Sequence, residues 1–301
     1  MPELPEVETI RRDLEVKIVG HRIKDLKILS VKTVALAPAV FYKNLIGQRI
    51  SKVLRRAKLL IIRLEPSNKY LLVHLKMTGQ LIYKVKNKLI VGGHSSGNYR
   101  SGGRNVDADD SKNLNDLPNK HTRVIFTFTN SSQLFFNDLR KFGYLKLVTE
   151  LELEGIVRNS YGIEPLTKEF SLINFSQALK GKKTNIKAAL LNQKNIAGLG
   201  NIYVDESLFA ARINPKRRAD SLKPGELKVL WLAITKIIKR AVEYRGTTFN
   251  NYVDSAGRQG NFFKLLKIYG RGGEKCPRCH NPIKKIKLAG RGTHYCPVCQ
   301  L

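Results

Sequence analysis

The chain has 301 residues, is 42% hydrophobic, and carries 54 Lys and Arg against 24 Asp and Glu, a formal net charge of +30. It holds no apolar run of roughly eighteen residues that could span a bilayer as a helix, and its first residues, Met1-Pro-Glu-Leu-Pro-Glu-Val-Glu8, are acidic and broken by proline, unlike a secretory leader; the expected location is the cytoplasm. An excess of positive charge this large attracts polyanions, and nucleic acid is the leading partner because neutralised phosphates release counterions, although a ribosome-associated protein or a lysine-rich proteome would share the composition.

Residues 2–20 read as a helix behind a short cap. Val7, Ile10 and Leu14 share one face, Pro5 suits the first turn and Gly20 a C-terminal stop. Glu3 then sits just before the helix, near its positive end. Residues 21–146 are mainly strand-like. Lys58–Glu65 and Lys69–Leu75 flank Pro-Ser-Asn, and Arg123–Thr129 and Gln133–Phe136 flank Asn-Ser-Ser, which predicts two hairpins of a β-sandwich. Residues 91–118, rich in Gly, Ser, Asn and Asp, lack apolar periodicity and read as a mobile surface insertion to which no role is assigned.

Residues 150–166 read as a linker ending in Tyr161-Gly-Ile-Glu-Pro-Leu166. Residues 167–245 are helix-rich, with breaks at Gly181, at Ala197-Gly-Leu-Gly-Asn201 and near Pro215. The predicted class is an α+β multidomain chain. An N-terminal helix plus β-sandwich fills 1–149, a helical domain 167–260 and a small module 261–301.

That module holds all four cysteines, Cys276, Cys279, Cys296 and Cys299, spaced C-x2-C-x16-C-x2-C. Each close pair can put two thiolates on one ion, and two pairs complete a tetrahedron. Two disulfides are the alternative, which a cytoplasmic location opposes. One Zn2+ on four Cys ligands has no open position and is structural. His280 and His294 are read as surface histidines. Residues 261–301 carry nine Lys and Arg against the single acid Glu274, and Ala289-Gly-Arg-Gly-Thr293 forms a tip led by Arg291. That arginine suits either a DNA groove or a solvated loop.

Glu3, Glu6 and Glu8 stand out in so basic a chain. The helix dipole accounts well for Glu6 and Glu8 and less well for Glu3. Pro2 becomes a secondary amine once the initiator Met1 is removed. An α-amine has a pKa of about 8, so a useful fraction is neutral and able to attack an electrophilic carbon, forming an iminium. A neighbouring carboxylic acid could serve as general acid. Many chains begin Met-Pro, so this clue is weak by itself.

Several separated motifs add to it: Met1–Thr9 (MPELPEVET), Arg55-Arg-Ala-Lys58, His74-Leu-Lys-Met-Thr-Gly79, Asn137-Asp-Leu-Arg-Lys-Phe-Gly143, Ala197–Tyr203 (AGLGNIY), Thr247-Thr248, Ile268-Tyr-Gly-Arg271 and the cysteine module. In this order they identify a chain that resembles the bacterial formamidopyrimidine-DNA glycosylases over nearly its whole length. The resemblance implies a helix–two-turn–helix in the helical domain and a zinc finger after it. It also implies a catalytic set of Pro2, Glu3, Lys58 and Arg291. Pro2 would be the nucleophile at C1′ of a damaged nucleotide, Glu3 the acid at the deoxyribose ring oxygen, and Lys58 a helper near the 5′ phosphate.

Base release, then β- and δ-elimination, would follow. Such chemistry needs the base out of the stack. Met77, Arg140 and Phe142 match the residues that fill the gap, as a wedge, a guanidinium for the orphaned cytosine and a stacking ring. His121, Lys187, Asn201, Tyr269 and Arg271 match further DNA contacts, with Asn201 on the backbone and Lys187 near the lesion. The segment 247–262 matches the loop that covers an everted 8-oxoguanine. The implied partner is duplex DNA with oxidised bases, bound by a monomer. Three positions depart from the family pattern: Lys76 replaces a glycine, Leu139 a proline and Lys141 an arginine. Two other readings remain, an endonuclease VIII-like enzyme for oxidised pyrimidines and an inactive DNA-binding zinc protein.

Overall fold

A computed structural model describes residues 1–85, 117–247 and 261–301, and the backbone of the strand Lys88–Gly93. The chain forms two compact units, Met1–Ile156 with Arg245–Asn261, and Val157–Tyr244 with Phe262–Leu301.

The first unit opens with α1 (Leu4–Ile18), which buries Val7, Ile10, Leu14 and Ile18. Gly20, at φ +87°, ends it in the left-handed region that glycine reaches at little cost. A short helix α2 (Pro38–Leu45) adds Phe41 and Leu45 to the core. Two antiparallel sheets follow. One orders β2 (Arg49–Arg56), β3 (Leu59–Glu65), β4 (Tyr70–His74) and β9 (Tyr144–Val148) side by side. The other runs β1 (Ile23–Ile28), β7 (Thr122–Phe128), β8 (Gln133–Asp138), β5 (Gly79–Val85) and β6 (Lys88–Gly93).

Both sheets feed one core. Alternate residues Leu60, Ile62 and Leu64 of β3 join Val124, Phe126 and Phe128 of β7 and the apolar face of α1, as the two-residue period of a strand requires. Each such fully buried Leu, Ile or Phe contributes about 1.5–3 kcal/mol over leaving it in water. The two expected hairpins are β3–β4 and β7–β8, with Asn68 (φ 51°) and Ser131 (φ 65°) turning the chain. The segment read as an insertion lies outside the described residues apart from its ends. Its first residues are not loop, since β6 pairs with β5 as far as Gly93. Leu117, at its other end, packs on Ile82, Ile125 and Phe135.

The residues read as a linker begin instead with a helix, α3 (Glu150–Ser160). None of its residues is buried, so no apolar stripe marks it. Its start is held by a reciprocal cap: Glu152 N donates to Thr149 Oγ1 at 3.3 Å, and Thr149 N to Glu152 Oε2 at 2.8 Å.

In the second unit, α4 (Leu172–Leu179) and α5 (Ile186–Leu191) are capped by Ser171 and Asn185. Next come α6 (Asn201–Ala210) and the amphipathic α7 (Pro224–Glu243), whose Leu230, Ile234 and Ile238 are buried. The breaks fall at Gly181 (φ 69°), at 197–200 and around Pro215. The hairpin β10 (Lys284–Leu288)–β11 (Arg291–Tyr295) lies between the cysteine pairs, and Phe209 of α6 joins Ile268, Cys276, Ile283 and Cys296 in one apolar cluster.

Candidate active site

At the N-terminus, Pro2 is buried and Glu3 is 3% exposed. Glu3 is the residue before the first turn of α1, in extended conformation. Its amide donates to Glu6 Oε2 at 2.9 Å. The other oxygen of Glu6 accepts from Thr247 N at 2.8 Å and Thr247 Oγ1 at 3.0 Å. Glu6, itself buried, therefore joins the segment that carries Gly246 and Thr247 to the backbone of Glu3. Gly246 lets that segment approach: a Cβ there would lie 2.6 Å from Glu6 Oε1.

One turn further, Glu8 Oε2 accepts from Arg55 Nε at 3.0 Å, and Arg55 also donates to the Ala57 carbonyl at 2.9 Å. Hydrogen bonds from Arg11, Arg55 and Arg12 outweigh burial and hold the Glu8 carboxyl below its usual range. Ala57 turns with φ 53°, and Lys58 follows it, 7% exposed. The chain Glu8–Arg55–Ala57 thus ties helix α1 to the turn that delivers Lys58. A buried Lys58 and a buried Glu3 are unusual in a core and typical of chemistry.

The two loops holding the proposed gap-fillers meet. Arg140 Nη1 lies 3.3 Å from Met77 Sδ, and its guanidinium sits 4.8 Å from the centre of the Phe142 ring. Phe142 is 54% exposed, a large apolar side chain left to solvent. Beneath them is Asp138, 1% exposed. Its Oδ1 accepts from the Thr78 hydroxyl and from Arg140 N, and its Oδ2 from Gly143 N at 2.7 Å. His121 is half-buried, and its carbonyl accepts from Asp138 N at 2.9 Å. In the other loop, His74 Nδ1 accepts from Lys76 N at 3.0 Å. Burial, then the cations of Lys76 and Lys58, push His74 down to about 3, so the ring stays a neutral acceptor. The departures from the family pattern fall here too. Lys76 (φ 49°) and Lys141 (φ 57°) are left-handed, which costs about 1–2 kcal/mol per non-glycine residue. Nothing in the structure explains Leu139, which is 43% exposed.

The finger is organised around a buried ion pair. Lys187 Nζ is 2.6 Å from Asp205 Oδ1, with both side chains fully buried. Lys187 also donates to the Gly292 carbonyl at 3.2 Å, which Asn201 Nδ2 reaches at 2.8 Å. Asp205 Oδ2 accepts from His294 N at 2.9 Å. These bonds grip the tip on which Arg291 is exposed, after Ala289 (φ 51°) and Gly290 (φ 69°). Lys187, matched in the sequence to a lysine near the lesion, is fully buried and anchors the tip from within. The sequence reading needs one correction. His294 is not a surface histidine: it is 7% exposed and packs edge-on against Tyr269 at 5.3 Å. His280 is exposed.

Tyr269 and Arg271 follow a backbone turn held by one carboxylate. Glu206, in α6, accepts from the amides of Lys267, Ile268 and Tyr269 at 2.8–3.0 Å. Its burial pushes its pKa up against those bonds. Arg271 pairs with Glu274 at 2.8 Å.

The four sulfurs lie within 4.8 Å of one another. Cys276 and Cys299 are 3.9 Å apart and Cys279 and Cys296 3.4 Å, near the spacing of tetrahedral zinc thiolates with bonds of about 2.3 Å. A backbone hydrogen bond from Asn281 draws Cys279 down to about 6, while burial pushes Cys299 up to about 12. So crowded a set needs a cation to ionise together, and the donors fit one structural Zn2+.

Sequence reasoning missed Asp138, Asp205, Glu6, Glu206 and His74 as positioning residues. Glu6, His74 and Asp138 stood inside the motifs given above. Asp205 and Glu206 carried no signal beyond two acids on an apolar helix.

Comparison with known proteins gives a consistent pattern. Family models for the formamidopyrimidine-DNA glycosylase N-terminal domain, its H2TH domain, and a zinc finger found in FPG and IleRS match residues 1–145, 161–253 and 273–301. The chain is 40% identical over 286 residues to a formamidopyrimidine-DNA glycosylase of Pelotomaculum thermopropionicum, covering 94% of this chain and 93% of that one. It is similar to Lactococcus lactis Fpg solved with an N7-benzyl-Fapy-dG-containing DNA, at 34% identity, TM-score 0.82 and 99% of both chains. It is also similar to a MutM in complex with carbocyclic 8-oxo-G-containing DNA, at 34% identity, TM-score 0.81 and all of both chains.

Proposed function

The chain belongs to the formamidopyrimidine-DNA glycosylase family, glycosylases that act on damaged DNA, and from that premise we propose that it excises oxidised purines with the amine of Pro2 and then cuts the strand. The observation that carries this reading is the buried pair Pro2–Glu3, joined to Thr247 through Glu6 and backed by Lys58 on a turn that Arg55 ties to α1.

Once Met1 is removed, the Pro2 nitrogen attacks C1′, and the bond from C1′ to the base breaks, the base leaving with the bonding electron pair and taking up the proton that the Pro2 N–H gives up. Glu3 donates its proton to the ring oxygen, which opens as a hydroxyl and leaves an iminium between Pro2 and C1′. The iminium acidifies the 2′ hydrogen. Its removal expels the 3′ phosphate, and a second elimination expels the 5′ phosphate. Lys58 stabilises the 5′ side by its charge. Met77, Arg140 and Phe142 fill the vacated stack, and Asn201, Tyr269, Arg271 and Arg291 clamp the backbone. Lys187 supports that clamp through Gly292. Zn2+ supplies no chemistry beyond holding the finger. No helix among the described residues is long and apolar enough to cross a membrane; a cytoplasmic monomer acting on chromosomal DNA completes the reading.

The test is excision from duplexes carrying 8-oxoguanine opposite C or thymine glycol, with products resolved on a gel. The reading expects faster release of 8-oxoguanine and fragments with phosphate at both new ends. Preference for thymine glycol would favour the pyrimidine enzyme, and binding without cleavage an inactive DNA-binding protein.

A further inference from the structure

The loop that carries Met77 contains a residue in a conformation unusual for its type. Lys76 stands at φ 49°, where glycine is at ease and a lysine is not. A glycine at this position would make the same turn without strain. The chain instead holds a cation there, and the local structure accommodates it. The Lys76 amide is fixed on His74 Nδ1 at 3.0 Å. Its ammonium lies 5.5 Å from the centre of the Tyr144 ring, an attractive contact that offers no lone pair to accept the ammonium hydrogens.

The side chain is half-exposed. Among the described residues, no carboxylate forms an ion pair with it. Its neighbours reinforce a positive field. Burial, and after it the cations of Lys76 and Lys58, keep His74 neutral, so it does not add a third charge to repel them. Met77 comes next in the chain, with the Arg140 guanidinium against its sulfur. The Arg140 guanidinium thus lies against the thioether that is to enter the base stack, Lys76 precedes that residue in the chain, and the nearby carboxylate, Asp138, is turned inward to Thr78, Arg140 N and Gly143 N.

Resting on the function proposed above, we propose that Lys76 is a phosphate-binding residue of the Met77 loop, its ammonium gripping a DNA backbone phosphate beside the gap that Met77 fills. A cation that neutralises one phosphate has a thermodynamic signature separable from loop stiffening. It changes the salt dependence of binding, because one counterion is released per phosphate neutralised.

The experiment measures Kd for a duplex containing a tetrahydrofuran abasic analogue across roughly 50–200 mM salt, for the wild type, Lys76→Gln, Lys76→Gly and Lys76→Arg. Gln keeps a side chain on the strained backbone without the charge, Gly relieves the strain as well, and Arg keeps the charge. The expected result is a slope of log Kd against log salt that is shallower by about 0.9 for Gln and for Gly, and unchanged for Arg. The affinity deficit of Gln then shrinks by about 3.5-fold over that fourfold salt range. Equal slopes for Gln and the wild type, or a loss for Arg equal to that for Gln, would overturn the proposal. The analogue carries no base, so this result stands apart from which lesion is excised; failure to release 8-oxoguanine would sink the functional reading and leave the slope readable.

Discussion

The Asp138–Gly143 loop and the finger tip solve one problem with different materials. Each displays an exposed arginine, Arg140 or Arg291, and each is held from within by a buried aspartate. Asp138 is satisfied by neutral donors: a hydroxyl and two backbone amides. Asp205 faces a fully buried lysine as well as the His294 amide. The loop therefore rests on hydrogen bonds alone, whereas the tip rests on an ion pair and, below it, a metal site. A motif match does not distinguish the residue that touches from the residue that holds. Burial does.

Metal removal should separate the two regions most sharply. Structural zinc contributes about 10–16 kcal/mol of apparent binding free energy in small finger peptides. Chelation is expected to abolish DNA binding while leaving the sandwich core folded, read by amide exchange of β3 and β7. Unchanged affinity without zinc would refute the clamp role of the tip.

Asp205→Asn comes next. It strands the Lys187 ammonium in the interior, with an expected loss of about 3–5 kcal/mol. The pair Lys187→Met with Asp205→Leu should recover much of that in urea unfolding, because no buried charge is left alone. A double variant no more stable than Asp205→Asn would argue against the ion pair as the source.

Asp138→Ala should cost less, about 1.5–3 kcal/mol for hydrogen bonds to a charged acceptor, and it should lower excision more than it lowers stability by releasing Arg140 and Phe142. Equal effects on both would make Asp138 merely structural.

The smallest effect per step is acid sensitivity of the Met77 loop. His74 titrates at about 3 when folded and near 6.5 when free. The unfolded chain therefore takes up the proton first. The stability that depends on neutral His74 is complete above pH 6.5 and is lost as pH falls toward 3, at up to about 1.4 kcal/mol per pH unit. His74→Gln should flatten the unfolding-pH curve in that window, and an unaltered curve would contradict the burial of a neutral ring.

Much of this was legible in the residues. The alternation in β3 and β7, the Pro5 start and Gly20 stop of α1, and the cysteine spacing follow from local rules. So do the breaks at Gly181 and 197–200. What was not legible depends on partners distant in sequence or on weak periodicity. Helix α3 buries nothing, so only its Thr149–Glu152 cap could have revealed it. Strand β6 ends in Gly92-Gly93 and looks like the start of a loop. The burial of Lys187 is not legible until Asp205, on the next helix, is seen against it. The φ of Lys76 is invisible without the backbone. At the N-terminus the sequence pointed to Pro2 and Glu3, but the tie from Glu6 to Thr247 spans 241 positions.

The central claim is the Pro2 amine, and borohydride trapping on an 8-oxoguanine duplex tests it directly, with loss of Met1 verified by mass spectrometry. The account predicts a covalent protein–DNA adduct whose cross-linked peptide begins at Pro2, and none from chains that retain Met1. An adduct mapped to Lys58 or another side chain, or no adduct from fully processed protein that still releases the base, would contradict it.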